Sequence, residues 1–170
     1  MIRGDDLNPT LFLINFSLAQ LFCNPATYLH TSFTTNHLVI GTLPFTSING
    51  QQGYTQSCCN DLESLAYTII YSALSNLPWS SNSAGNHKKA ILQKKTLIMA
   101  EELCEGLPTP FCKFVTYVCS LGFDQKLDYQ YLHSILLQCS EAETNQPIKA
   151  PPLYLCQVSV DHEPISTGQA

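Results

Sequence analysis

A mainly α-helical domain, entered through one short buried strand and a long loop, is the fold class that this sequence predicts. Apolar residues recur at helical spacing through Leu62, Leu65, Ala66, Ile69, Ile70, Ala73 and Leu74. A Thr109-Pro110 pair opens a second run of that kind, and residues 11–14 (LFLI) form a short, wholly apolar stretch suited to a buried strand. With 170 residues, 45% of them hydrophobic, the chain is long enough to bury a sizeable core as one domain with tails.

Residues 1–10 are a polar N-terminal tail, and the strand of residues 11–14 follows it. Residues 23–42 then lose periodicity and gather Asn, Thr, His and Pro, the composition of a long loop. Long ordered loops tend to carry function. Asn60, with Glu63 three residues on, has the spacing of a capping box and starts the central helix. Tyr67 and Tyr71 fill much of its other face, so this helix is apolar nearly all round, as a buried central helix is. Leu77-Pro78-Trp79 ends it, residues 80–86 form a polar loop, and residues 87–98 a second, weaker helix. Thr109 serves as N-cap to a helix with Pro110 in its first position and Phe111, Phe114, Val115, Val118 and Cys119 on one face. Gly122 marks its end, and Asp128 caps a last helix holding Leu132, Ile135 and Leu136. Residues 11–140 thus hold about four to five helices. Residues 141–170, with Pro147, Pro151, Pro152 and Pro164, are expected to be a disordered tail.

A net charge of -5 with eight Lys plus Arg leaves no basic stripe for nucleic acid or an anionic membrane surface. Lys88, Lys89, Lys94 and Lys95 are the one cationic cluster, expected as a solvated helix face. No apolar run approaches the roughly 18 residues of a membrane span. The eight cysteines show neither a C-x-x-C pair nor zinc-ligand spacing, so no metal site is assigned and a reducing interior, cytoplasmic or nuclear, is expected.

Several stretches, taken in order, resemble the C-terminal lobe of the casein kinase I family of protein kinases. GTLPFTSIN (residues 41–49) resembles that family's Gly-Thr-Ala-Arg-Tyr-Ala-Ser-Ile-Asn, with Ser47, Ile48 and Asn49 as its distinguishing tripeptide. NDLESLAY (residues 60–67) resembles Asp-Asp-Leu-Glu-Ser-Leu-Gly-Tyr, LPW (residues 77–79) follows in place, and LCEGLPTPF and SLGFDQKLDYQYL resemble the last helices. The resemblance covers residues 11–137 and implies a kinase-like C-terminal lobe fragment, truncated and divergent, whose long loop corresponds to an activation segment.

The same resemblance aligns Asn15, Phe16 and Ser17 with the Asp-Phe-Gly that binds the cofactor in kinases. That aspartate holds magnesium on the ATP phosphates, and a neutral amide removes its charge from a hard cation's site. Ser17 also lacks the backbone freedom of glycine. Read without the family, Asn15 is a turn residue bonding its own backbone, and that reading is preferred. Thr42 falls in the substrate-facing loop, and Asp61 at the position that ties the central helix to the catalytic loop. Pro44 and the Cys58-Cys59 pair stand where the family has arginines, and neither can make charge-assisted bonds to phosphate. Asp6-Leu7-Asn8-Pro9 echoes a catalytic loop, but Leu11 stands where that loop needs asparagine. These 170 residues show no Gly-rich loop and no strand lysine. No catalytic residue is therefore assigned and no cofactor expected. The resemblance implies an inactive kinase domain fragment, a pseudokinase remnant or a module that binds protein through the apolar face of its central helix. The alternative is the C-terminal part of an active Ser/Thr kinase, using Mg-ATP, whose N-lobe and catalytic loop are missing from this chain.

Overall fold

Ser57 decides where the longest helix begins. Its backbone N–H donates to the side-chain carbonyl of Asn60 at 2.8 Å, which satisfies a donor that a helix start would otherwise leave unpaired. The helix, α2, therefore spans Cys58–Leu74, with its cap three residues ahead of the Asn60 cap that the Asn60/Glu63 spacing predicts. Asn60 is the third helical residue rather than the cap, and Glu63 is released for another task.

The computed structural model describes residues 2, 3, 10–80 and 87–144, in two compact units. Described residues up to Ala19 belong to the first and residues 20–144 to the second. In the first, β1 (Ile2–Arg3) pairs antiparallel with β2 (Thr10–Leu11), and a 3-10 turn covers Phe16–Leu18. The buried strand predicted for residues 11–14 is corrected here. Pairing stops at Leu11, and Phe12, Leu13 and Ile14 are exposed, Leu13 at 82%. An apolar strand is buried by neighbours on its edges and faces, and a ribbon two residues long supplies neither.

The second unit is helical: α1 (Ile48–Gln52), α2, α3 (His87–Leu97), α4 (Ala100–Leu103), α5 (Thr109–Ser120) and α6 (Tyr129–Thr144). Among the described residues it has six α-helices, α1 and α4 being single turns that the periodicity does not reveal. Pro110 lies in the first turn of α5, with Pro108 rather than Thr109 as its cap, and Phe111, Phe114, Val115 and Val118 are buried. Asp128 caps α6 by accepting the Tyr131 N–H at 2.9 Å, and Leu132 and Ile135 are buried on its inner face. Trp79, Phe114, Ile70, Leu77 and Ile91 form the fully enclosed centre. Each such side chain contributes about 1.5–3 kcal/mol through burial.

The central helix is covered on one side only. Cys59, Asn60, Ala66, Tyr67 and Ile70 are buried, whereas Leu65 and Tyr71 are each 44% exposed. Burial all round, expected from composition, is thus corrected: α1 and α5 pack against α2 along one stripe. The long loop is tied down locally. Cys23 bridges to His30, the Asn24 side chain accepts from the Ala26 and Thr27 N–H groups, and Thr34 N–H donates to Thr55 Oγ1 at 2.8 Å. His37 N–H reaches Gly53 O at 2.9 Å, and Gly53 has φ +78 with a Cβ position only 2.7 Å from His37 O, so glycine alone fits there.

No disulfide joins the seven described cysteines, and Cys156 lies outside the described residues. No helix among the described residues is long and apolar enough to cross a membrane. The catalytic-loop echo at residues 6–9, most of the loop at 81–86, and the tail beyond 144 also lie outside them, while α6 itself runs past Ser140.

Candidate functional site

The 41–49 loop is built from its own backbone outward. Phe45 and Thr46 N–H groups both donate to Thr42 O, at 2.9 and 3.1 Å, closing a turn whose Thr42 side is exposed. Ser47 is buried and caps α1: its Oγ accepts the Gly50 N–H at 3.0 Å and donates to Gln56 Oε1 at 3.1 Å. Ile48 N–H donates to the Glu63 carboxylate at 2.9 Å, and Asn49 O accepts the Tyr54 N–H at 3.0 Å. The tripeptide thus joins the loop to α1, to the α1–α2 connection and to α2.

Three side chains from the helical core hold the loop's carbonyls and amides. Trp79 Nε1 donates to Pro44 O at 2.9 Å. Lys95 Nζ donates to Leu43 O at 2.9 Å and Thr46 O at 2.5 Å. Glu63 takes the Ile48 N–H and, at 2.7 Å, the Tyr67 hydroxyl. Tyr67 and Trp79 meet edge to face at 4.9 Å, and the Lys95 ammonium lies 4.7 Å from the Tyr67 ring centre and 5.2 Å from that of Trp79.

Lys95 corrects the solvated-face reading of the four lysines. It is 3% exposed, whereas Lys88, Lys89 and Lys94 are exposed, and it sits one turn beyond the buried Ile91. Burial pushes its ammonium down to about 8 while the Glu63 charge pulls the other way. Burial likewise raises the Glu63 carboxyl, opposed by the Tyr67 and Ile48 bonds and by Lys95. The Tyr67 hydroxyl is pushed far up by burial first and by Glu63 second, so it stays a donor.

The other resemblance-derived positions are placed as follows. Asn15 has φ 64, a left-handed turn that asparagine tolerates better than most residues, and the Ser17 hydroxyl donates to its side-chain carbonyl at 2.7 Å. Its amide bonds the hydroxyl two residues on, rather than its own backbone. Phe16 between them is exposed. This turn lies in the first unit, while Thr42, Ser47, Ile48, Asn49 and Asp61 all lie in the second. Asp61 is exposed in the first turn of α2, where its charge complements the helix N-terminus. Cys58 opens α2 with its thiol raised by burial, and Cys59 is buried with its sulfur 3.1 Å from Ser57 Oγ. Glu63, Trp79 and Lys95 as loop anchors are not found by sequence reasoning. The Ile91-to-Lys95 spacing, which sets the lysine on the buried face, is the signal that could have found one of them.

As a magnesium site the 15–17 turn does not fit. Its one oxygen donor of the right kind, the Asn15 carbonyl, is neutral and already accepts from Ser17. Among the described residues no group of three or more His, Cys, Asp or Glu is placed to hold a metal.

No family model matches the chain. Among curated proteins it is 35% identical over 128 residues to casein kinase I homolog 2 of Schizosaccharomyces pombe, a match covering 74% of this chain and 29% of that protein. It is 31% identical over 147 residues to casein kinase I homolog 3 of the same yeast, covering 82% of this chain and 34% of the relative. A probable casein kinase I homolog of Encephalitozoon cuniculi is 36% identical over 138 residues, covering 79% and 44%. The chain spans less than half the length of each of these relatives. With that likeness running along a helical core that carries Ser47, Ile48 and Asn49 on its anchored loop, the chain is casein kinase I-like, related to part of those proteins and built as a kinase C-lobe-like fragment.

Proposed function

We propose that this chain is a casein kinase I-like domain fragment without phosphotransfer activity, a pseudokinase remnant that acts through protein binding. The observation that carries the reading is Asn15. Where the resemblance puts a metal-holding carboxylate, the chain has an amide engaged with Ser17. Phosphoryl transfer relies on the metal to neutralise the charge developing on the phosphates, and one neutral carbonyl cannot substitute for a carboxylate in that task. Pro44, whose carbonyl serves Trp79, and the Cys58-Cys59 pair, held as protonated or buried thiols, support loss of phosphate recognition as well. The exposed Leu65 and Tyr71 side of α2 is the surface proposed for a protein partner. Neither nucleic acid nor a membrane is proposed as partner, and cysteines without C-x-x-C or zinc-ligand spacing suit a reducing, intracellular compartment.

Isothermal titration of the purified chain with Mg-ATP tests this reading. The expected result is no magnesium-dependent heat for the native chain. Metal-dependent ATP binding, or phosphorylation of an acidic protein substrate that disappears in Asn15→Ala, overturns it.

A second reading is favoured by the 29–44% coverage of the relatives. In it, these residues work as the C-terminal part of an ATP-dependent Ser/Thr kinase whose other elements are supplied elsewhere. Fusing the N-terminal portion of a casein kinase I homolog ahead of residue 11 and assaying phosphate transfer separates the two. An active fusion that depends on Asn15 establishes the second reading; an inactive one that folds and binds no nucleotide rejects it.

A further inference from the structure

We propose that Lys95 is a proton-operated latch on the 42–47 loop: loss of its proton tightens the loop onto the helical core, and gain of the proton loosens it. The inference is independent of whether the chain handles nucleotide. It starts from the count of hydrogen-bonding groups around one nitrogen. Two loop carbonyls, Leu43 O and Thr46 O, accept from Lys95 Nζ, and the rings of Tyr67 and Trp79 lie beside it. A neutral amine has two hydrogens, enough for both carbonyls. The ammonium has a third, which the rings meet only through a cation–π contact, and it carries a full charge in a site 3% exposed.

The charged and titratable groups around Lys95 are few. From α2 come Glu63, the opposing charge, and Tyr67, a neutral hydroxyl held by Glu63. Beyond Glu63 stands the Cys119 thiol of α5, raised by burial and so neutral. The 42–47 loop and α1 contribute no ionisable side chain, and on α3 the Lys94 ammonium is turned to Pro78 O. Glu63 only partly offsets the burial of the ammonium, whose pKa in the closed structure is about 8 against 10.5 for a hydrated lysine. When the loop swings away, Lys95 regains water and its ordinary affinity for the proton. The open form therefore binds more protons than the closed one across that interval, and rising pH favours closure.

Trp79, the chain's single tryptophan, both touches the ammonium and bonds the loop, so its emission reads the latch without a label. The test follows Trp79 fluorescence of the full chain from pH 7 to 9.5, together with hydrogen exchange of the Phe45 and Thr46 amides, corrected for intrinsic rates. The expected result is an emission transition with a midpoint near pH 8, and an opening equilibrium that falls roughly tenfold per pH unit above it. Lys95→Met abolishes both. If that variant does not fold, Lys95→Arg, which stays charged throughout the window, serves instead and is expected to leave emission flat. A loop whose opening is constant or increases above pH 8, or a Trp79 transition that survives either substitution, overturns the proposal.

Discussion

Residues 12–18 and residues 42–48 make an informative pair, because each is a loop segment that holds several apolar side chains. In the first, Phe12, Leu13, Ile14, Phe16 and Leu18 are exposed, and the Ser17 hydroxyl bonds the Asn15 side chain. In the second, the backbone is gripped at Leu43, Pro44, Thr46 and Ile48 by Lys95, Trp79 and Glu63, and Ser47 is buried as a helix cap. The difference teaches that apolar content alone does not hold a segment: its backbone must also find partners in the core. The segment still anchored is the one whose anchors lie in the helical core, where a lost bond also costs folding stability. Residues 12–18 have no such anchors among the bonds described above, and their apolar side chains stay exposed.

The largest effect expected on the anchored side is at Trp79. Trp79→Ala removes a fully buried indole, its bond to Pro44 O and one wall around Lys95. A cost of about 3–5 kcal/mol is expected from the loss of a buried aromatic, read as a fall in the urea midpoint. A loss below about 1 kcal/mol would mean that the loop and core are not joined as described, and the contrast with residues 12–18 would vanish.

Glu63 comes next. Glu63→Ala leaves the Ile48 N–H and the Tyr67 hydroxyl without acceptors and Lys95 without its opposing charge, at a cost of about 2–3 kcal/mol. Glu63→Gln keeps an acceptor and should cost about half as much. The pH dependence sharpens the point. Because burial raises the Glu63 carboxyl, the folded chain holds that proton more tightly than the unfolded one. Its contribution is fully present below the ordinary glutamate value and is lost as pH rises through the raised one. Unfolding free energies measured between pH 4 and 7 should therefore show a declining component that Glu63→Gln lacks. Parallel profiles for the two proteins would remove the charge from the account of how the loop is held.

Much of the helical frame is readable directly from spacing. The apolar stripes of α5 and α6 and the Asp128 cap follow from periodicity and turn chemistry, since those residues act within one element. What spacing conceals is exchange between elements. Asn60 and Glu63 have the separation of a capping box, but Ser57 takes the Asn60 side chain and Glu63 reaches across fifteen residues to Ile48. Four lysines look alike in a polar helix, and only the tertiary position of Ile91 draws Lys95 inward. The 11–14 run misleads for the opposite reason: apolar character favours burial only where a neighbouring surface is present to receive it.

The smallest effect is expected on the exposed side, and it is the most direct attack on the comparison. Leu13 is 82% exposed, so Leu13→Ser removes almost no buried surface and leaves no cavity. Its effect on stability should stay within about 0.5 kcal/mol, while solubility rises because an apolar side chain is taken off the surface. Residues 12–14 have no regular backbone pairing to lose, so propensity changes little. A cost of about 2 kcal/mol or more would require the leucine to be packed against something in solution. Concentration-dependent unfolding would then identify that cover as a second copy of the chain, whereas concentration independence would put it within the same molecule. Either way residues 12–18 would join residues 42–48 as a held segment, and the contrast between an anchored loop and an exposed one would fail.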